Sequence, residues 1–182
     1  MAADIGSIAP DSRSRRGRRA GPAGFTIVEL LVAIAVLAIL LALAVPNFND
    51  ASLSARLNGF ANSLVAAAQV ARSEAIKRNS TITVCASSDG STCDDGVDWE
   101  QGWIVMTEDD VVLQQQQPLP TEFKVTQAGG TAALSFLPTD VGTTTATLTV
   151  CRSAPVGSEE RVVTINGTGA AHVTITTAGS CP

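Results

Sequence analysis

One carboxylate stands alone in an apolar run. Between Phe25 and Val45, Glu29 is the only charged residue. A charge at the centre of a bilayer costs roughly 2.5–3.5 kcal/mol on insertion scales, so a retained acid there is a candidate functional group. It follows Gly24 by five residues and Phe25 by four, and residues four apart share a helix face. The helix dipole places positive charge at a helix start, which favours an acid in the first turn. The other reactive candidates lie beyond the run. Cys85, Cys93, Cys151 and Cys181 are an even set, and in an exported domain such a set reads as disulfides. Three pairings are open. Cys85–Cys93 would close a short polar loop, and Cys151–Cys181 would pin a tail that otherwise frays. Zinc clusters place ligands about two to four residues apart, closer than any of these cysteines. The acids Asp94, Asp95, Asp98 and Glu100, and then Glu108, Asp109 and Asp110, read as solvated turns, because their spacing does not match an EF-hand loop. His172 is the only histidine, and no Ser or Cys motif beside it would make a nucleophile–base pair. No enzyme activity, metal site or cofactor is expected.

These groups need elements to hold them. About 20 apolar residues span a bilayer core, and residues 25–45 supply that length. Arg13, Arg15, Arg16, Arg18 and Arg19 precede the run, and no Lys or Arg follows until Arg56. Basic residues stay on the cytoplasmic side, which places everything after about Val45 across the membrane. A secretory signal peptide has a shorter apolar core, roughly 7–15 residues, with its small-residue cleavage site after it. Here the small residue, Gly24, comes first.

After Pro46 the apolar residues keep helical spacing. Leu53, Leu57, Phe60, Leu64, Ala67, Ala71 and Ala75 form one face, and Arg56, Asn58, Asn62, Gln69, Arg72 and Glu74 the other. One long helix to about Asn79 is predicted, with a kink or local melting near Ala42 to Val45 because proline lacks an N–H. Glu74 and Arg78 are spaced to pair. From Thr81 the pattern alternates. Strands are expected at Thr81–Ala86, Gly102–Thr107, Val111–Gln116, Glu122–Thr126, Ala132–Leu137, Thr144–Cys151, Arg161–Asn166 and Ala170–Thr176. Asn166-Gly167-Thr168-Gly169 reads as a hairpin turn. The fold class is therefore α+β: a long N-terminal helix, membrane-spanning in its first half, packed in its second half on antiparallel sheet. Trp99 and Trp103 are expected in the core between them.

The segment Gly24-Phe25-Thr26-Ile27-Val28-Glu29-Leu30 resembles the type IV prepilin signature at every position. The likeness extends to the FimT/FimU and GspH family of minor pilins and pseudopilins. It is carried by Cys85-Ala86-Ser87-Ser88-Asp89-Gly90-Ser91-Thr92-Cys93, Trp99-Glu100-Gln101-Gly102-Trp103-Ile104-Val105, Leu134-Ser135-Phe136-Leu137, Leu148-Thr149-Val150-Cys151 and Arg161-Val162-Val163-Thr164-Ile165-Asn166. The resemblance implies a leader at 1–24, a transmembrane part of the helix at 25–45 and a periplasmic pilin-like domain at 46–182. It implies that a prepilin peptidase cuts between Gly24 and Phe25, that the new Phe25 amine is N-methylated, and that Glu29 meets the Phe25 amine of a neighbouring subunit. An unpaired acid in a greasy bundle is costly, so that pairing would select the axial register.

The implied function is that of a minor pilin of a type IV pilus, in filament initiation or at the tip. The alternatives are a minor pseudopilin of a type II secretion system, serving protein export, or a DNA-uptake receptor pilin. The implied partners are other pilins or pseudopilins, the prepilin peptidase and an inner-membrane assembly platform. The implied location is the bacterial inner membrane, single-pass, and then the pilus or pseudopilus filament. Nucleic acid is a poor partner. The chain carries a net charge of −5 with pI about 4.7, whereas a nucleic-acid binder shows a basic patch. Some members bind DNA through arginines of the last hairpin and tail. Here Gly169 is followed by Ala170, Ala171 and His172, and no Lys or Arg occurs after Arg161.

Overall fold

The computed structural model describes residues 24–139, 142–154, 157–177 and 179. The leader expected at 1–24, apart from Gly24, and the expected half-cystine Cys181 lie outside the described residues. The chain divides into two compact units, Met1–Val45 and Pro46–Pro182. Helix α1 (Ile27–Arg78) contributes to both. It is helical through Pro46, so the expected melted turn is not there. A proline removes one ladder bond, and the bonds on either side remain available. The helix ends on Asn79, whose φ of 50° is the left-handed conformation that commonly closes helices. Lys77 and Arg78 occupy the last turn and bond Glu74 at 3.1 and 2.8 Å. Those hydrogen bonds, from Arg78 first and Lys77 second, lower the Glu74 pKa.

In the first unit α1 is apolar all round and exposed all round. The apolar side chains Ile27, Leu31, Ile34 and Ile39 are all more than half exposed. In the second unit the same helix has one buried face: Leu57, Ala61, Leu64, Ala68, Ala71 and Ala75. That face covers eight strands: β1 (Ile82–Ala86), β2 (Trp103–Thr107), β3 (Val112–Gln116), β4 (Phe123–Gln127), β5 (Ala133–Phe136), β6 (Ala146–Arg152), β7 (Glu160–Ile165) and β8 (Ala171–Thr176). All eight expected strands are present, with ends shifted by a residue or two. Alternation is the reason they could be read. In β6, Ala146, Leu148 and Val150 are buried while Thr147 and Thr149 between them are half-buried.

The strands form two antiparallel sheets rather than one, in the orders β3-β2-β1-β5 and β4-β6-β7-β8. Both turn apolar faces to α1 and share one core. Trp103, Val105 and Phe136 enter it from the first sheet, and Phe123, Leu148 and Val163 from the second. Phe60 of α1 meets Phe123 edge-on with centroids 4.9 Å apart, a favourable quadrupole geometry. The inner edges are tied together. Thr144 N–H donates to the Ser135 carbonyl of β5 at 3.0 Å, and the Glu100 carboxylate receives Val125 N–H of β4 at 3.4 Å. A short 3-10 helix, Trp99–Gln101, carries Glu100 there. Gly102 follows it at φ 111°, where a Cβ would stand 2.6 Å from the Gln116 carbonyl oxygen. Only glycine fits that close approach. Trp99 and Trp103 are both buried in the core.

Candidate assembly site

The site begins where α1 begins. Gly24, Phe25 and Thr26 precede the helix. The Thr26 hydroxyl accepts the Glu29 N–H at 3.2 Å, and the Thr26 carbonyl accepts the Leu30 N–H at 3.1 Å. Thr26 is thus the N-cap, and Glu29 is the third residue of the first turn. Thr-x-x-Glu is the capping-box pattern. It was legible in the sequence, and the cap role of Thr26 is the feature that reading by charge alone missed. Phe25 is 71% exposed, and Glu29 is exposed beside it. A Cβ added at Gly24 would meet nothing within 4 Å. Gly24, Phe25 and Glu29 are brought within one turn by sequence alone. The cysteines belong to the other unit.

Cys85 and Cys93 form a disulfide. It folds the Ser87–Thr92 loop back on the first sheet, on the side away from α1, where Cys85, Ile104 and Met106 make a small second core. The loop satisfies itself. Asp89 accepts the Ser91 and Thr92 N–H groups at 2.8 and 2.9 Å. Those backbone donors, with the two hydroxyls, hold its carboxyl well below the usual carboxylate range. Cys151 of β6 is also disulfide-bonded; the tail partner expected for it, Cys181, is outside the described residues.

Two of the clustered acids have structural partners. Asp94 accepts Gly96 N–H at 3.0 Å. Glu100 pairs with Lys124 at 2.6 Å, and this partner raises the Lys124 pKa. Among the described residues no three His, Cys, Asp or Glu side chains are grouped to hold a metal ion. His172 is exposed on β8. Arg161, the last basic residue of the chain, is 2% exposed. It is bonded to Asn58, to Ser54 at 3.1 Å and to Glu159 at 3.0 Å. It is thus withdrawn from any phosphate. At the last hairpin Gly169 has φ 75°, and a Cβ there would press on Arg72, Phe136 and Thr143, each at 3.3 Å. The turn is seated against the core.

The arrangement is two-part. An apolar, capped helix start carries a lone acid, and the second unit folds around its own core. Comparison with known proteins finds a family profile for each part. The profile of the family described as "Type II transport protein GspH" matches residues 61–169. The one described as "Prokaryotic N-terminal methylation motif" matches residues 19–45. Two crystal structures of the type IV minor pilin FimU of Pseudomonas aeruginosa are similar in fold, both at 20% identity. One has a TM-score of 0.54 over 68% of this chain and 91% of that one. The other has 0.50 over 64% and 91%. A search among curated proteins found no match.

Proposed function

Because the chain belongs to the GspH family, we propose that it is a minor pilin of a type IV pilus, acting in filament initiation or at the tip. One observation carries this reading. The helix from Ile27 to Leu43 is exposed on every side, and such a surface is stable only in lipid or against other apolar helices. A subunit that is held in a membrane and then moved into a helical bundle meets that requirement twice. Residues 25–45 anchor the chain in the inner membrane, and residues 46–182 lie on the periplasmic side. The leader, 1–24, is removed between Gly24 and Phe25, and the freed Phe25 amine is N-methylated. Glu29 then has a cation to meet. In a dry bundle the acid is tolerated only opposite such a charge, so each subunit stops at the axial position where its Glu29 reaches a neighbour's Phe25 amine. Its partners are other pilins, the prepilin peptidase and an assembly platform. The β unit contributes surface, not catalysis.

The test is the first residue of the mature chain. Protein recovered from cells that contain the peptidase is expected to begin at N-methylated Phe25. Any other start ends this reading. A second reading, a minor pseudopilin serving type II secretion, is favoured by the family's description as a type II transport protein. It is separated from the first by deleting the gene. Loss of pili with secretion intact supports the pilus, and the reverse supports export.

A further inference from the structure

We propose that the cluster around Arg161 is a clasp that fixes where α1 can part from the sheets. The turn up to Asp50 is able to lift, and the helix from Ser54 onward is held. Asp50, Ser54 and Asn58 recur at intervals of four, which puts them on one stripe of α1. Each meets the second sheet through an arginine. Arg152 Nη1 donates to Asp50 Oδ1 at 3.3 Å. Arg161 donates through Nε to Asn58 Oδ1 and through Nη2 to Ser54 Oγ at 3.1 Å. Its other contacts keep it in place: Nη2 to Glu159 Oε2 at 3.0 Å and Nη1 to the Glu160 carbonyl at 3.2 Å. Every nitrogen of the guanidinium thus has an acceptor, and the side chain is 3% exposed.

The two contacts differ in strength. The Asp50 side chain is 73% exposed, and a solvated pair is easily exchanged for water. A guanidinium as buried as that of Arg161 cannot release its acceptors without leaving a charge unpaired. Apolar packing is thinner here than farther along α1. An open pocket of about 560 Å³ lies beside these contacts, lined by Asp50, Leu53, Ser54, Leu57, Arg152 and Glu159. Among the described residues Leu57 is the first buried apolar residue of α1, and Leu53 before it is half-buried against the core. The helix is therefore weakly attached before Ser54, fixed by polar contacts from Ser54 to Asn58, and packed from Leu57 on. A pull along α1 would open the first part and stop at Arg161. That use under load rests on the proposed function. The geometry does not, so failure of one leaves the other standing.

Amide hydrogen exchange on the full chain in detergent micelles tests the clasp. Arg161→Met keeps most of the volume and removes the fork. Amides 50–57 are expected to exchange faster by about tenfold or more, with 64–78 and β7 unchanged. Unchanged exchange at 50–57 overturns the proposal. If Arg161→Met loses protection everywhere, Ser54→Ala decides. A gain in exchange confined to 50–57 sustains the clasp, and a uniform gain or none overturns it.

Discussion

The two halves of α1 answer opposite solvents. Before Val45 the helix is apolar on all sides, and its Leu and Ile side chains stand exposed. After Pro46 its large apolar side chains fall mostly on one face, and Leu57 and Leu64 are 3% exposed. The first pattern is useless to a water-soluble domain, and the second is useless in lipid. The same contrast divides the polar residues. Glu29 lies in the open at a helix start, whereas Arg161 and Glu160 are buried in a β unit that supplies partners for them. The described polar groups of the β unit are mostly answered within their own chain, Trp103 Nε1 and Gln127 Oε1 excepted.

Changes in one half should leave the other untouched, and this can be broken in order of size. Phe123→Ala empties a fully buried site and should destabilise the β unit by about 3–5 kcal/mol. Thermal unfolding of the full chain in detergent would show it, with membrane insertion unaltered. Removing the Cys85–Cys93 bridge as a double Ser variant frees a short loop and should cost about 2–3 kcal/mol in the same measurement. Glu29→Gln should do the reverse. The unfolding midpoint is expected to stay put while recovery in sheared filaments falls at least about tenfold, which corresponds to about 1.4 kcal/mol. If the midpoint drops with it, the halves are not independent. Thr26→Ala removes the cap and should weaken the first turn by about 1 kcal/mol, seen as faster amide exchange at 27–30.

The smallest effect is one of pH. The Asp89 carboxyl is held below its ordinary value in the folded chain by the Ser91 and Thr92 N–H donors. A lowered folded pKa adds stability above the ordinary carboxylate value, and that addition is lost as pH falls through the folded one. Acid titration should therefore loosen the Ser87–Thr92 loop only below the normal carboxylate range. Asp89→Asn should flatten that dependence in loop exchange.

Much of this was legible in the chain. The alternation of Thr145, Thr147 and Thr149 with Ala146, Leu148 and Val150 announced β6, and Asn166-Gly167-Thr168-Gly169 announced the turn into β8. The pairing of Glu74 with Arg78 followed from spacing. The division into two sheets did not. Alternation says that a strand has two faces, not which neighbour it takes, and β1 with β5 or β4 with β6 are pairings across intervening strands. Asn58 read as a residue of the polar helix face, and nothing local marked Arg161 as its partner. Their contact joins positions 103 residues apart.

The sequence by itself determined the membrane-length apolar run, its lone acid, the cap on its first turn and the presence of every strand. These are local properties, written in spacings of two, three and four residues. Tertiary structure alone decided which strand edges meet, which arginine is buried and where α1 is gripped. Those outcomes depend on distant segments competing for the same partners, and the winner is set by packing that no short window of sequence contains.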